Sequence, residues 1–174
     1  MPPAVVYGKD GRPLYSWRVL VLPYIEYQEL YDSFKLDEPW DSPNNLPLLE
    51  QMPKIFESHG KPAPEPYTTY YQVFVGPGAA FEGKDGLPLA DFTDGTSNTL
   101  FIVEAAEAVP WSKPADLAFA PDRPLPELGG LFADGFNAAF ADGSVHFFPK
   151  EVSEDKLRAL ITRNGGERVY PDDP

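Results

Sequence analysis

The stretch Asn137-Ala-Ala-Phe-Ala-Asp-Gly-Ser-Val-His-Phe-Phe148 is the strongest local indication of fold in this chain. It places an Asp-Gly pair between two runs of strand-forming residues, which is typical of a β-hairpin. A two-residue type I′ loop requires positive φ at both central positions, which Gly143 favours and Asp142 tolerates. The stretch therefore predicts a hairpin that closes on these two residues.

The length of the predicted loop also determines which side chains share a face of the sheet. With two loop residues, Phe140 pairs with Val145, and Ala138 pairs with Phe147. Side chains alternate between the two faces along a strand. These four residues are therefore predicted to form one apolar face.

Length and composition favour a single domain with many loops. The chain has 174 residues, which suits one domain spanning residues 1–174. It contains 21 Pro, about twice the usual frequency, together with 12 Phe, 9 Tyr and 3 Trp. We therefore expect short elements joined by long ordered loops rather than long helices.

The charge of the chain restricts its partners. The net charge is −13, and the chain contains no Cys. An acidic surface repels phosphate backbones and anionic lipid heads, so nucleic acid is not an expected partner. The charge suits cations or a basic partner, although solubility alone is the simpler explanation. Disulfide and thiolate chemistry are excluded.

The N-terminal part predicts several short helices. Ser16 is a typical N-cap for the apolar run that follows it, and Pro23 interrupts that run because proline lacks the N–H donor. A second helical stripe covers residues 24–34. Another helix is predicted to begin at Asp41-Ser42-Pro43. Its inward-facing residues are predicted to be Leu46, Leu48 and Leu49.

The remaining part predicts strands and one closing helix. Residues 68–75 and 99–107 are predicted strands, and both precede the hairpin. Residues 112–128 are a predicted Pro-rich loop, and residues 153–163 a capped amphipathic helix. This order predicts an α+β fold, in which N-terminal helical segments pack on an antiparallel meander sheet with a C-terminal helix.

One polar stretch is a candidate metal site. Asp91, Asp94, Ser97 and Asn98 lie close together in the sequence. Calcium takes roughly six to eight oxygen ligands and tolerates irregular loops, so these residues are a candidate calcium site. The same residues are typical of a turn bonded to its own backbone, which is the preferred interpretation. Ca²⁺ is the one cofactor that the sequence suggests.

No spacing of residues indicates a catalytic centre. Glu104 and Glu107 are three positions apart in a predicted strand, so they point to opposite faces and cannot act as a pair. His59 and His146 lack the spacing of metal ligands, and no Gly-x-Ser-x-Gly motif accompanies either of them. An enzyme is therefore not the preferred interpretation, and no catalytic residue is assigned.

Aromatic residues offer another type of candidate site. Trp40 and Trp111 are candidate ligand-facing side chains, for a sugar or an aromatic group. Tryptophan more often packs in a core or at its edge, so both interpretations are kept.

Five motifs occur in one order along nearly the whole chain. Together they resemble the DUF1559 family, also labelled SBP_bac_10, a large planctomycete family of pseudopilin-like proteins. Two of the motifs contain the turns Asp94-Gly95 and Asp142-Gly143. The motifs are Ser16-Trp-Arg-Val-Leu-Val-Leu-Pro-Tyr-Ile-Glu26, Phe34-Lys-Leu-Asp-Glu-Pro-Trp-Asp-Ser-Pro-Asn44, Asp94-Gly-Thr-Ser-Asn-Thr99, Phe140-Ala-Asp-Gly-Ser-Val145 and Leu157-Arg-Ala-Leu-Ile-Thr-Arg-Asn-Gly-Gly166.

The resemblance implies a pseudopilin-like arrangement, with a prepilin leader and a long hydrophobic helix before this domain. We therefore expect Met1-Pro2-Pro3 to lie inside a longer protein, whose missing helix would be its membrane contact. The implied location is the cell envelope, outside the cytoplasmic membrane. Phe132 stands where many members carry a histidine, and Ser144 where some carry a cysteine. We therefore assign to this chain no role that depends on that histidine or that cysteine.

Three hypotheses for function follow. The first is a structural, assembly or interaction role, with protein partners or self-assembly. The second is a domain that binds a small ligand, either a carbohydrate or a cation. The third is an uncharacterised hydrolase, for which the sequence supplies no nucleophile with its base.

Overall fold

The computed structural model describes residues 1–59, 63–167 and 169–172. These residues combine helices with an antiparallel sheet, as predicted. The α-helices are α1 (Trp17–Leu20), α2 (Gln28–Ser33) and α3 (Glu154–Ile161). The 3₁₀ helices are Leu22–Ile25, Leu46–Gln51, Lys54–Phe56, Leu89–Asp91 and Thr96–Asn98. The strands are β1 (Val5–Tyr7), β2 (Pro13–Ser16), β3 (Thr68–Gln72), β4 (Phe74–Val75), β5 (Leu100–Pro110), β6 (Leu117–Ala118), β7 (Gly135–Phe140) and β8 (Val145–Pro149).

Four strands form the central sheet in the order β3-β5-β7-β8, and each neighbouring pair is antiparallel. The strands follow their order in the chain, as expected of a meander. β3 and β4 together cover the predicted strand over residues 68–75. One edge of the sheet is formed by β3 and the other by β8.

Two smaller pairs of strands lie outside this sheet. β1 and β2 form an antiparallel hairpin, and β4 pairs with β6 in parallel. β6 lies within residues 112–128, so the prediction that this whole segment is loop is wrong. Leu117 and Phe119 alternate with small residues, and both are buried. This alternation favours a short strand between the prolines.

The hairpin between β7 and β8 forms, but its loop has three residues rather than the predicted two. The N–H of Gly143 donates to the carbonyl of Phe140 at 2.9 Å, and the N–H of Phe140 donates to the carbonyl of Ser144 at 2.8 Å. Within the loop, positive φ occurs at Gly143 alone, at +89°. Residues 141–143 are therefore a type I turn followed by a left-handed glycine.

The longer loop shifts the hairpin register by one residue. Val145 pairs with Ala139 instead of the predicted Phe140. A shift of one residue exchanges the faces of alternate side chains. Val145 and Phe147 are consequently 64% and 50% exposed, so the predicted apolar face is wrong. The buried side chains of this hairpin are Phe136, Ala138, Phe140 and Phe148.

The N-terminal segment breaks into short helices, as Pro23 predicts. The Oγ of Ser16 caps α1 by accepting the N–H of Arg18 at 3.3 Å. Pro23 lies in the first turn of the 3₁₀ helix Leu22–Ile25, and Glu26, with φ of +68°, ends that helix. α2 begins two residues later, at Gln28.

The helix predicted to begin at Asp41-Ser42-Pro43 is instead a 3₁₀ helix over Leu46–Gln51. The Oγ of Ser42 accepts the N–H of Asn45 at 3.1 Å. Ser42 therefore caps only the turn that precedes the 3₁₀ helix. Leu46 is 46% exposed, so the prediction that it faces inward is wrong. The two later leucines are half-buried.

Two clusters of buried apolar side chains stabilise the fold. One packs the N-terminal segments around Trp17 and Trp111. The other fills the space between the sheet and α3. α3 follows its predicted cap, Ser153, whose Oγ accepts the N–H of Lys156 at 3.2 Å. None of the helices in the described ranges is long and apolar enough to cross a membrane.

Candidate functional site

Arg18 is buried at the edge of the central sheet, with a side-chain exposure of 0%. Its Nε and Nη2 donate to the carbonyl of Tyr71 at 3.0 and 2.6 Å. Its Nη1 donates to the Oγ of Ser16 at 2.7 Å. The guanidinium therefore satisfies a carbonyl on the outer side of β3, where a neighbouring strand would otherwise supply the donor.

Asp116 completes this polar cluster, and its side chain is 1% exposed. Its Oδ1 accepts hydrogen bonds from Arg18 Nη2 at 2.9 Å, from the N–H of Val73 at 3.1 Å and from Trp17 Nε1 at 3.3 Å. Its Oδ2 is buried and has no hydrogen-bond partner among the described residues. The Arg18–Asp116 pair therefore connects α1, the junction of β3 and β4, and the Pro-rich segment.

Burial opposes the charge of both groups. It raises the pKa of the Asp116 carboxyl, and the charge of Arg18 with the hydrogen bonds from Val73 and Trp17 acts to lower it. Burial also lowers the pKa of Arg18, and Asp116 acts against that shift. A buried guanidinium requires a counter-charge, which Asp116 supplies. The pair is enclosed, so it positions the chain rather than contacting a substrate.

An apolar cleft of about 290 Å³ lies beside this pair, between the N-terminal segments and the sheet. Its lining is almost wholly apolar, and Ile55 at its rim is 57% exposed. The Tyr71 hydroxyl, 3.5 Å from His59 Nδ1, is a polar group in this region. Such a lining suits an apolar side chain rather than a sugar. The residues that form the cleft wall include Trp17, Val21, Ile25, Ile55, Phe101 and Ile102.

A second cleft, of about 420 Å³, has an acidic border formed by Glu107 and Glu127. Gln72 also lines it, and its Nε2 donates to the carbonyl of Glu107 at 2.7 Å. Asp116 borders the cleft, but its carboxylate turns inward to Arg18. In the described part of the chain, no group of three His, Cys, Asp or Glu side chains could hold a metal ion. The two carboxylates at its border give the cleft an acidic edge that complements a positively charged group.

The candidate calcium residues form a turn that uses most of its own polar groups. The Asp94 carboxylate accepts the N–H of Gly166 through Oδ1 at 3.1 Å and Oδ2 at 3.2 Å. Asn98 Nδ2 donates to the carbonyl of Asp94 at 3.0 Å. Asp91 and Ser97 are exposed. This geometry supports the interpretation as a turn that anchors the segment after α3.

Asp142 has a similar local role in the β7–β8 loop. Its Oδ1 accepts both the N–H and the Oγ of Ser144, at 2.9 and 2.7 Å. These hydrogen bonds lower the pKa of the fully exposed Asp142 carboxyl below its ordinary value. The carboxylate therefore stabilises the start of β8.

The two candidate ligand-facing tryptophans differ in position. Trp111 is 0% exposed, stacks on Phe56 at 5.9 Å and meets Phe34 edge-on at 5.8 Å between ring centroids. Its Nε1 donates to the carbonyl of Leu49 at 3.1 Å. The expectation that Trp111 faces a ligand is therefore wrong, because the ring fills the N-terminal core. Trp40 is half-buried at the edge of that core.

The remaining polar candidates are dispersed. Glu104 is buried, and its Oε2 accepts the N–H of Asn137 at 2.7 Å, whereas Glu107 is exposed. His146 Nδ1 lies 3.1 Å from Asp172 Oδ1, on another part of the sheet from His59. Neither histidine contact joins a nucleophile to a base. These residues therefore provide no arrangement for hydrolysis.

The comparisons with known proteins concern mainly the N-terminal part. Residues 1–70 match the SBP_bac_10 family model, described as a protein of unknown function (DUF1559). This match supports the family label that the motifs indicate. It includes Arg18 and much of the apolar cleft wall. No curated protein and no solved structure matches the chain.

Proposed function

We propose that this chain is an interaction domain of a pseudopilin-like protein, exposed outside the cytoplasmic membrane, with a role in assembly or display. The observation that carries the proposal is the apolar cleft beside Ile55. The charged residues of this acidic chain favour solubility, whereas an open apolar cleft is a candidate binding place for another molecule. The part of the chain that matches the family model, residues 1–70, includes much of the cleft wall.

The cleft fits one or two apolar side chains of a partner protein. Burying a single leucine or phenylalanine stabilises a contact by about 1.5–3 kcal/mol. Ile55 and Ile102 come from separate parts of the chain, and the Arg18–Asp116 pair holds the N-terminal segment against the sheet. The cleft is therefore largely formed before a partner arrives, which reduces the entropy lost on binding.

A photo-crosslinker at Ile55, introduced into the full-length protein in its own cells, tests the interaction. Leu89 is a matched control because it is also 57% exposed and lies outside the cleft lining. We expect a discrete protein adduct from position 55 that is absent from position 89 and lost when Ile102 is replaced by Lys. Equal adducts from both positions would contradict the proposed site.

The proposed location has a separate test. We expect added protease to digest the domain once the outer layers of the envelope are opened, while a cytoplasmic marker remains intact. Digestion that requires lysis of the cytoplasmic membrane would overturn the external location.

A second candidate function is binding of an organic cation in the acidic cleft. The specific observation is that Glu107 and Glu127 border one cleft, and that none of the described residues in its lining is basic. Spermidine is a suitable probe, measured by isothermal titration calorimetry. Binding that is weakened by Glu107→Gln, with Glu151→Gln as an exposed control outside the cleft, would favour this function. If millimolar spermidine gives no heat of binding, the proposed binding of an organic cation is wrong.

A further inference from the structure

Among the residues that the structure describes, β8 is an edge strand, and no other strand pairs with the side of its backbone that faces away from β7. Two hydrogen bonds mark the ends of the β7–β8 ladder. The N–H of Phe140 donates to the carbonyl of Ser144 at 2.8 Å, and the N–H of Lys150 donates to the carbonyl of Asp134 at 2.9 Å. Hydrogen-bonded and non-hydrogen-bonded pairs alternate in an antiparallel ladder. His146 and Phe148 therefore bond to β7, whereas the N–H and C=O groups of Val145 and Phe147 point away from the sheet.

The side chains at these two positions are also exposed. Val145 and Phe147 are 64% and 50% exposed and lie on the same face of β8. In the described part of the chain, their outward backbone groups have no hydrogen-bond partner. Asp172 lies against the His146 side chain of this strand, but the outward backbone groups and the exposed apolar side chains at positions 145 and 147 still form a template for a further strand.

We propose that β8 pairs with β8 of a second copy of this chain, in antiparallel orientation about a two-fold axis at His146. In this register Val145 of one chain faces Phe147 of its partner, and the reverse pair follows by symmetry. Their outward N–H and C=O groups then bond to each other. The four apolar side chains form one cluster, and the two central sheets join into one.

The charges at the ends of β8 favour this register. The two-fold axis at His146 places Asp142 near Lys150 of the second copy, and Lys150 near the second copy's Asp142. Both residues are exposed in the single chain, and opposite charges across a strand pair stabilise it. A parallel pairing would instead place each residue nearer to its like-charged counterpart.

The ends of the strand limit the contact to a short ladder. Pro149 has no N–H donor, so the outward ladder stops after Phe147. The net charge of −13 on each chain opposes association. We therefore expect a weak dimer that forms at high local concentration. This inference rests on the proposed assembly role and names its partner as the chain itself.

Sedimentation equilibrium over a wide concentration range tests the proposal. We expect reversible dimers for the unmodified chain, and a dissociation constant at least about tenfold higher for Phe147→Lys. Tyr24→Lys is the matched control, because Tyr24 is 87% exposed on another surface. It should dimerise as the unmodified chain does. A chain that stays monomeric at millimolar concentration, or equal dimerisation of all three proteins, would overturn the strand pairing.

A single cysteine tests the register, since the chain has none of its own. His146 would meet its counterpart in a non-hydrogen-bonded pair, with Cα atoms about 4.5 Å apart, which a disulfide can span. With copper phenanthroline as oxidant, His146→Cys should give a covalent dimer much faster than Tyr24→Cys. Equal rates would overturn the register. If the sedimentation or the cysteine experiment contradicts the β8 pairing, the crosslinking experiment at Ile55 still tests the interaction role independently.

Discussion

Nη2 of Arg18 lies 2.9 Å from Oδ1 of Asp116, and both side chains are almost completely buried. The two residues are separated by 98 positions in the chain. Their contact holds the N-terminal segment on the sheet and thereby shapes one wall of the apolar cleft. The cluster therefore links stability to the proposed site.

Replacing Asp116 by Leu should lower the free energy of unfolding by about 3–5 kcal/mol, because it leaves Arg18 buried without a counter-charge. Chemical denaturation measures this change. The double variant Arg18→Met with Asp116→Leu should lose less than the sum of the single variants. Arg12→Met is the control, because Arg12 and Asp10 form an ion pair with 84% and 60% exposed side chains. A loss below about 1 kcal/mol for Asp116→Leu would contradict the importance of the pair.

Trp111 should contribute to stability rather than to ligand binding. Trp111→Ala removes a fully buried ring and should lower the free energy of unfolding by about 3–5 kcal/mol. Trp40→Ala should have a clearly smaller effect, because Trp40 is only half-buried. Thermal and chemical unfolding of the two variants check this order. Equal losses would show that the burial of Trp111 is not what stabilises the N-terminal core.

Asp142 should make part of the stability depend on pH. Its carboxyl has a lower pKa in the folded chain than its ordinary 3.8, so it stabilises the fold above that pH and loses this effect as pH falls through the folded pKa. Asp142→Asn keeps an oxygen acceptor for Ser144 but cannot titrate. The stability difference between the two proteins should be largest at neutral pH and vanish well below 3.8. A stability difference that stays constant with pH would show that the Asp142 carboxyl does not make the stability of the fold depend on pH.

Calcium should leave the melting temperature unchanged. The Asp94 carboxylate already accepts the N–H of Gly166, and Asp91 and Ser97 point to solvent. A thermal melt with and without millimolar calcium is the measurement. A calcium-dependent rise in melting temperature, abolished by Asp94→Asn but retained in Asp37→Asn, would instead establish the calcium site at this turn.

The hairpin shows how far local sequence reasoning reaches. Asp142-Gly143 correctly predicts that the chain reverses there, because glycine readily adopts positive φ. The pair fits either a two-residue or a three-residue loop. The choice depends on which side chains are buried against α3, and Phe148 packs there instead of Phe147. The length of the loop is therefore set by tertiary packing, which cannot be inferred from a short stretch of sequence.

The Arg18–Asp116 pair was absent from the sequence predictions for a related reason. A charged residue inside the apolar run 17–22 is an indication of a buried ion pair. However, nothing local identifies its partner 98 positions later. The caps at Ser16 and Ser153 were predictable because each acts within three residues. The register of β8 and both clefts depend on distant packing.

The wide spacing of the Arg18 contacts also affects synthesis of the chain. Tyr71 follows Arg18 by 53 positions, and Asp116 follows it by 98. At roughly 5–20 residues per second, the nascent arginine waits about 5–20 s for its counter-charge to be made. A chain that ends before Asp116 therefore lacks the counter-charge of Arg18, so the Pro-rich segment must be made before the N-terminal segment can form this buried pair.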